Sequence, residues 1–135
     1  MKNTTVVSFF RIMLVVGAML VQLYPLPTAA TEIKAHYTHA EGKTITLKLA
    51  IANPPPNSII VIQNVPPGSL IVGSTPPHKS YKKKHGKIKW LIKNPATGNL
   101  NIQLQLKKPV SAGAVSAMVR YLDANTGTFK TEMAP

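Results

Sequence analysis

Cysteine is absent from this chain of 135 residues. That excludes disulfides, thiolate nucleophiles, cysteine-linked haem and zinc–thiolate centres together. Acid is nearly absent too: Glu32, Glu41, Asp123 and Glu132 are the whole supply. Paired-carboxylate catalysis needs two acids placed about a reacting bond, and here the glutamates lie near the ends or in a turn. There is no Gly-x-Ser-x-Gly elbow to present a nucleophile, and no Gly-rich loop to cradle phosphate. The sequence reads as non-enzymatic, with no catalytic residue, no cofactor and no metal.

What is present begins with residues 1–30. A polar start carrying Lys2 precedes an apolar run from Val6 to Leu26, broken only by Ser8, Arg11 and Gln22. Small residues follow, with Thr28 and Ala30 at the −3 and −1 places of a cut after Ala30. This is the pattern of a secretory signal peptide. The competing reading is an uncleaved anchor, favoured by the late Arg11. Against it, the stretch from Ile12 to Leu26 falls short of the roughly 20 apolar residues a bilayer needs, and Pro25 and Pro27 break a helix. The predicted localisation is secreted, periplasmic or cell-surface.

Residues 31–135 make one domain, large enough to bury roughly 65% of its unfolded surface without staples. The formal charge of +12 falls to +10 once Lys2 and Arg11 are set aside. So large an excess favours anionic partners and says nothing about fold.

Apolar and polar residues alternate with period two along most of the domain, which predicts half-buried strands. The segments are 33–37, 44–51, 59–62, 69–74, 87–92, 100–106, 115–121 and 128–133. Pro, Gly and Asn turns separate them, and a basic loop is expected over residues 75–86. Ile59-Ile60-Val61-Ile62 is apolar on both faces and fits a central strand. Seven or eight short antiparallel strands at this spacing predict an all-β sandwich of two facing sheets, although a small closed barrel has a similar strand count.

Three segments sharpen the expectation. They are Asn64-Val65-Pro66-Pro67-Gly68-Ser69-Leu70-Ile71-Val72, Gly86-Lys87-Ile88-Lys89-Trp90-Leu91-Ile92, and Pro95-Ala96-Thr97-Gly98 with the Leu100–Leu106 alternation. Together they resemble the conserved-repeat immunoglobulin-like modules of secreted and surface-anchored bacterial and archaeal proteins. The resemblance spans roughly residues 60–113. It implies an Ig-like fold in an extracellular structural or adhesive setting, and it carries over no catalytic residue. Such modules usually recur in tandem and are often acidic, whereas this is a single basic copy.

The sharpest local feature is the segment 78–93, which holds seven of the fourteen Lys and Arg residues after position 30 and no acid. Lys79, Lys82, Lys83, Lys84, Lys87, Lys89 and Lys93 are candidates for gripping a polyanion by counterion release, with Tyr81 available to stack on a sugar or base. The plain reading is a solvated loop and edge lysines that discourage sheet-to-sheet pairing. Lysine instead of arginine argues for a diffuse contact. His78 and His85 are flanked by ammonium groups that oppose a metal cation, and His36 and His39 diverge along a strand. Trp90 and Tyr121 alternate with core residues and are expected inside. Arg120 either pairs with Asp123 or is solvated.

Two functions follow. One is a non-catalytic structural or interaction module engaging a protein partner of the envelope or an extracellular assembly, or another copy of itself. The other is binding of an acidic polysaccharide, lipid headgroup or nucleic acid through segment 78–93. Membrane contact is expected only through residues 1–30, if these are uncleaved.

Overall fold

The computed structural model describes residues 30–135, so the signal peptide expected over residues 1–30 lies, apart from Ala30, outside the described residues. Among the described residues there are nine strands: β1 Ile33–His39, β2 Gly42–Ile51, β3 Ser58–Asn64, β4 Ile71–Thr75, β5 Ser80–Lys82, β6 Lys87–Lys93, β7 Gly98–Val110, β8 Ser116–Leu122 and β9 Phe129–Ala134. They form two antiparallel sheets, one ordered β1-β2-β7-β4 and the other β5-β6-β3-β8-β9.

The alternation explains the layering, since a strand sends successive side chains to opposite faces. Ile45, Leu47, Leu49 and Ile51 of β2 and Ile102, Leu104 and Leu106 of β7 turn inward from the four-stranded sheet. Ile59 and Val61 of β3, Ile88 and Trp90 of β6, and Ala117, Val119 and Tyr121 of β8 face them. Each large side chain withdrawn from water there contributes about 1.5–3 kcal/mol. This core draws on residues from Ile33 to Ala134, so residues 30–135 carry a closed core of their own.

Trp90 and Tyr121 are in that core, and both keep their polar atoms paired, as buried aromatics require. The Trp90 indole N–H donates to Ser74 Oγ at 3.1 Å and to the Pro76 carbonyl at 3.0 Å. The Tyr121 hydroxyl accepts from the Ile33 N–H at 3.2 Å. As expected, β3 is the central strand of its sheet, but Gln63 at its end is also fully buried, which the apolar reading did not foresee.

The expected basic loop over 75–86 is a correction. It contains β5 and a 3-10 turn, Lys83–His85. Its Ser-Tyr-Lys triplet pairs with β6 in the register Ser80↔Lys89, Tyr81↔Ile88, Lys82↔Lys87, and Tyr81 packs against the core. The strand expected at 69–74 starts later, at Ile71, because Ser69 closes a turn onto the Pro66 carbonyl with both its N–H and its hydroxyl. β7 also runs past the expected stop at Pro109, whose missing donor is tolerated beside the register shift opposite Gly42 and Thr44.

Candidate functional site: a lysine-bordered sheet face

The lysine segment is held in place by its backbone. Gly68 N–H donates to the Lys83 carbonyl at 2.9 Å, Gly86 N–H to the same carbonyl at 3.2 Å, and Val65 N–H to the Gly86 carbonyl at 2.8 Å. The turn that carries Lys83, Lys84 and His85 is thereby pinned to the loop between β3 and β4. Gly86 closes it at φ 61°, in the left-handed region that glycine enters without cost. Lys79, Lys82, Lys83 and Lys84 are exposed.

Pairing then gathers three cations. In the register of β5 with β6, Lys82 lies opposite Lys87, and Lys89 lies opposite Ser80. Lys82, Lys87 and Lys89 share the outer face of the five-stranded sheet, where with Ile62 and Ser80 they line a shallow depression of about 200 Å³. Lys93 ends the same face of β6 and is exposed. Like charges directly opposite across a ladder are destabilising, so Lys82 against Lys87 is a local cost with no acid beside it to offset it. Tyr81, between Ser80 and Lys82, points the other way. Its hydroxyl donates to the Ser69 carbonyl, and burial raises its pKa above the ordinary 10.0. His78 sets its ring edge-on to Trp90, centroids 6.4 Å apart.

Across the sheet the outer face changes character. Ile60 and Ile62 of β3, Leu91 of β6 and Met118 of β8 are half-buried on it. Beyond them Leu122, Phe129 and Met133 are 39%, 68% and 58% exposed. Met118 lies opposite Ile62 and Met133, and Leu122 opposite Phe129. Arg120 stands exposed among them with its guanidinium 5.4 Å from the Phe129 ring centroid, and Asp123 pairs with Lys130 in its place. The outer face of the other sheet is unlike this: Thr44, Thr46 and Lys48 meet Gln105, Gln103 and Asn101. One exterior is mostly polar, with Val72 exposed on its edge strand β4, while the other is cationic at β5–β6 and apolar at β8–β9, about 19 Å across at the usual strand spacing.

Asp123 has a structural task. Its side chain is fully buried and meets Lys130 Nζ at 2.8 Å. That ammonium first, and the Asn125 N–H next, hold the carboxyl down at about 2. The same lysine donates to the Thr31 carbonyl at 3.1 Å, fastening the start of the domain to the β8–β9 turn. Glu32 pairs with Lys34 at 3.0 Å. Among the described residues no group of three His, Asp or Glu is placed to hold a metal, and no helix is long and apolar enough to cross a membrane. An open cleft of about 450 Å³ lies at one end of the sandwich, between Pro66–Leu70 and Lys108–Ala114.

The lysines of this face were legible as a run. Its apolar half was not singled out, although a signal existed: Leu91, Met118 and Met133 occupy the strand positions where polar residues would be expected. Comparison of the chain with protein-family models, curated proteins and solved structures finds no match in any of the three.

Proposed function

We propose that this protein is a secreted or envelope-associated, non-catalytic interaction module of Ig-like topology, working through the outer face of its five-stranded sheet. Three observations support the Ig-like part. The sheet β1-β2-β7-β4 parallels the A-B-E-D arrangement, and β6-β3-β8-β9 parallels C′-C-F-G. Strand β5 extends the second sheet at the C″ edge. One departure is that the strands between β3 and β7 come along the chain at the D, C″ and C′ places in turn, the reverse of the Ig order.

The observation that carries the functional reading is the asymmetry of the two exteriors. A face that bears opposed lysines without acids and leaves Phe129 and Met133 in water is costly to keep on a solitary domain. A partner that covers both halves removes both costs. The test compares two variants with the same change of charge. Lys89→Glu alters this face and Lys48→Glu alters the polar face of the other sheet. Binding to the envelope fraction of the source cells should weaken with the first and persist with the second. Equal weakening would reduce the effect to net charge and refute the face.

A second reading is favoured by the pinned turn: preorganised Lys82, Lys83 and Lys84 grip a polyanion alone. Retention on immobilised heparin across a salt series, abolished by replacing those three with glutamine, supports it. Elution at low salt removes it.

A further inference from the structure

The lysine-bordered face carries an inference about its partner, and it rests on the reading just given. We propose that this face docks on the surface of an anionic lipid bilayer, with Lys82, Lys87, Lys89 and Lys93 over the headgroup phosphates and Phe129, Met133 and Leu122 entering the interface.

Charge complementarity rules out a second copy of the chain. Of its four acids, Asp123 is buried against Lys130 and Glu32 is paired with Lys34. Glu41 and Glu132 remain, too few to meet the four lysines and Arg120. Face-to-face pairing of two copies would set cations against cations or against the partner's apolar half, and neither arrangement supplies negative charge. The negative charge must therefore come from another molecule.

The shape of the face selects among anionic partners. A protein interface draws its energy from a few anchors seated in pockets, and the depression of about 200 Å³ beside Ile62 is shallow and bordered by three lysines. Its cations are lysines apart from Arg120, whose guanidinium is engaged over Phe129. Ammonium groups on flexible stems suit mobile phosphates better than a fixed bidentate geometry. A free polyanion would use the lysines and leave the apolar half idle. A membrane interface rewards both halves, since binding there grows with buried apolar area and with attraction to anionic lipid. The sequence alone offers lipid headgroups to segment 78–93 and membrane contact to residues 1–30, whereas this contact joins the lysines to the apolar half of one folded face.

The test is flotation of residues 30–135, whose core is complete, with two kinds of vesicle: phosphatidylcholine alone, and phosphatidylcholine mixed with phosphatidylglycerol. Binding is expected to the mixed vesicles only, falling as salt rises. Lys89→Gln should weaken it about five-fold. Phe129→Ser with Met133→Ser should weaken it at least ten-fold while leaving heparin retention intact. Lys48→Gln, on the other sheet, should change vesicle binding less than two-fold. Absence of binding, equal binding to both vesicles, or equal loss from Lys48→Gln and Lys89→Gln overturns the proposal. If vesicles fail while a protein of the envelope fraction is captured in a manner sensitive to Lys89→Glu and not to Lys48→Glu, the lipid assignment falls and the interaction face stands. If neither holds, both fall.

Discussion

Gly86→Ala tests how the lysine turn is held. Glycine stands there at φ 61° and ψ 31°. A Cβ built on it would lie 2.0 Å from the Val65 carbonyl oxygen and 3.2 Å from the Pro66 carbonyl carbon, where ordinary contact begins at 3.4 Å. The obstacle is backbone, so no side chain can swing away. The two segments must separate by more than an ångström, and the bonds between them, Val65 N–H to Gly86 O and Gly68 N–H to Lys83 O, must lengthen or break. Left-handed strain for a residue with a Cβ costs about 1–2 kcal/mol. Each lost backbone bond costs about 0.5–1.5 kcal/mol. A loss of about 2–5 kcal/mol is expected, with a fall in Tm on the order of 10–20 °C.

Gly68→Ala is the control. It lies in the loop facing the same turn, also has positive φ (83°), and has nothing within 4 Å of its built Cβ. It should lose only the strain, about 1–2 kcal/mol. Urea denaturation followed through the fluorescence of Trp90, the single tryptophan and fully buried, reads both variants. Equal losses would refute the claim that close backbone approach at Val65 makes glycine necessary at 86.

Other outcomes follow from the same geometry. Trp90→Ala, emptying the largest fully buried site and removing the N–H that meets Ser74 Oγ and the Pro76 carbonyl, should cost about 3–5 kcal/mol by circular dichroism. Because the Asp123 carboxyl is held down from 3.8 to about 2, its contribution is fully present above the unfolded value and is lost as pH falls from about 4 to about 2. Asp123→Asn should flatten the dependence of Tm on pH in that window, and an unchanged slope would show that other carboxyls set it. Tyr81→Phe, losing its bond to the Ser69 carbonyl, should destabilise by about 1 kcal/mol in urea titration while leaving heparin retention unchanged. A loss of retention would give the hydroxyl a contact role.

Much of the fold could be read from period two alone. Burying one side of β2, β6, β7 and β8 forces alternation, and those strands lie within a few residues of their expected places. What failed to show were elements set by long-range contact. Strand β5 has only three residues, and nothing local distinguishes Ser-Tyr-Lys from loop until β6 offers a ladder and the core offers a seat for Tyr81. Arg120 and Asp123 are three apart and of opposite charge, so the sequence left pairing and solvation both open. The β8–β9 hairpin instead brings Lys130 to the buried carboxylate and Phe129 beneath the guanidinium.

By itself the sequence determined composition-bound properties: no thiol chemistry, scarcely any acid, a large positive charge, and strands with one oily side. These are sums and periodicities, and they survive without coordinates. Only the tertiary structure decided which strands became neighbours. That pairing placed Lys82 against Lys87, laid Met118 between Ile62 and Met133, and left one exterior polar and the other cationic and apolar. Register between strands far apart in the chain depends on how two sheets close over a common core, and no local pattern contains that information.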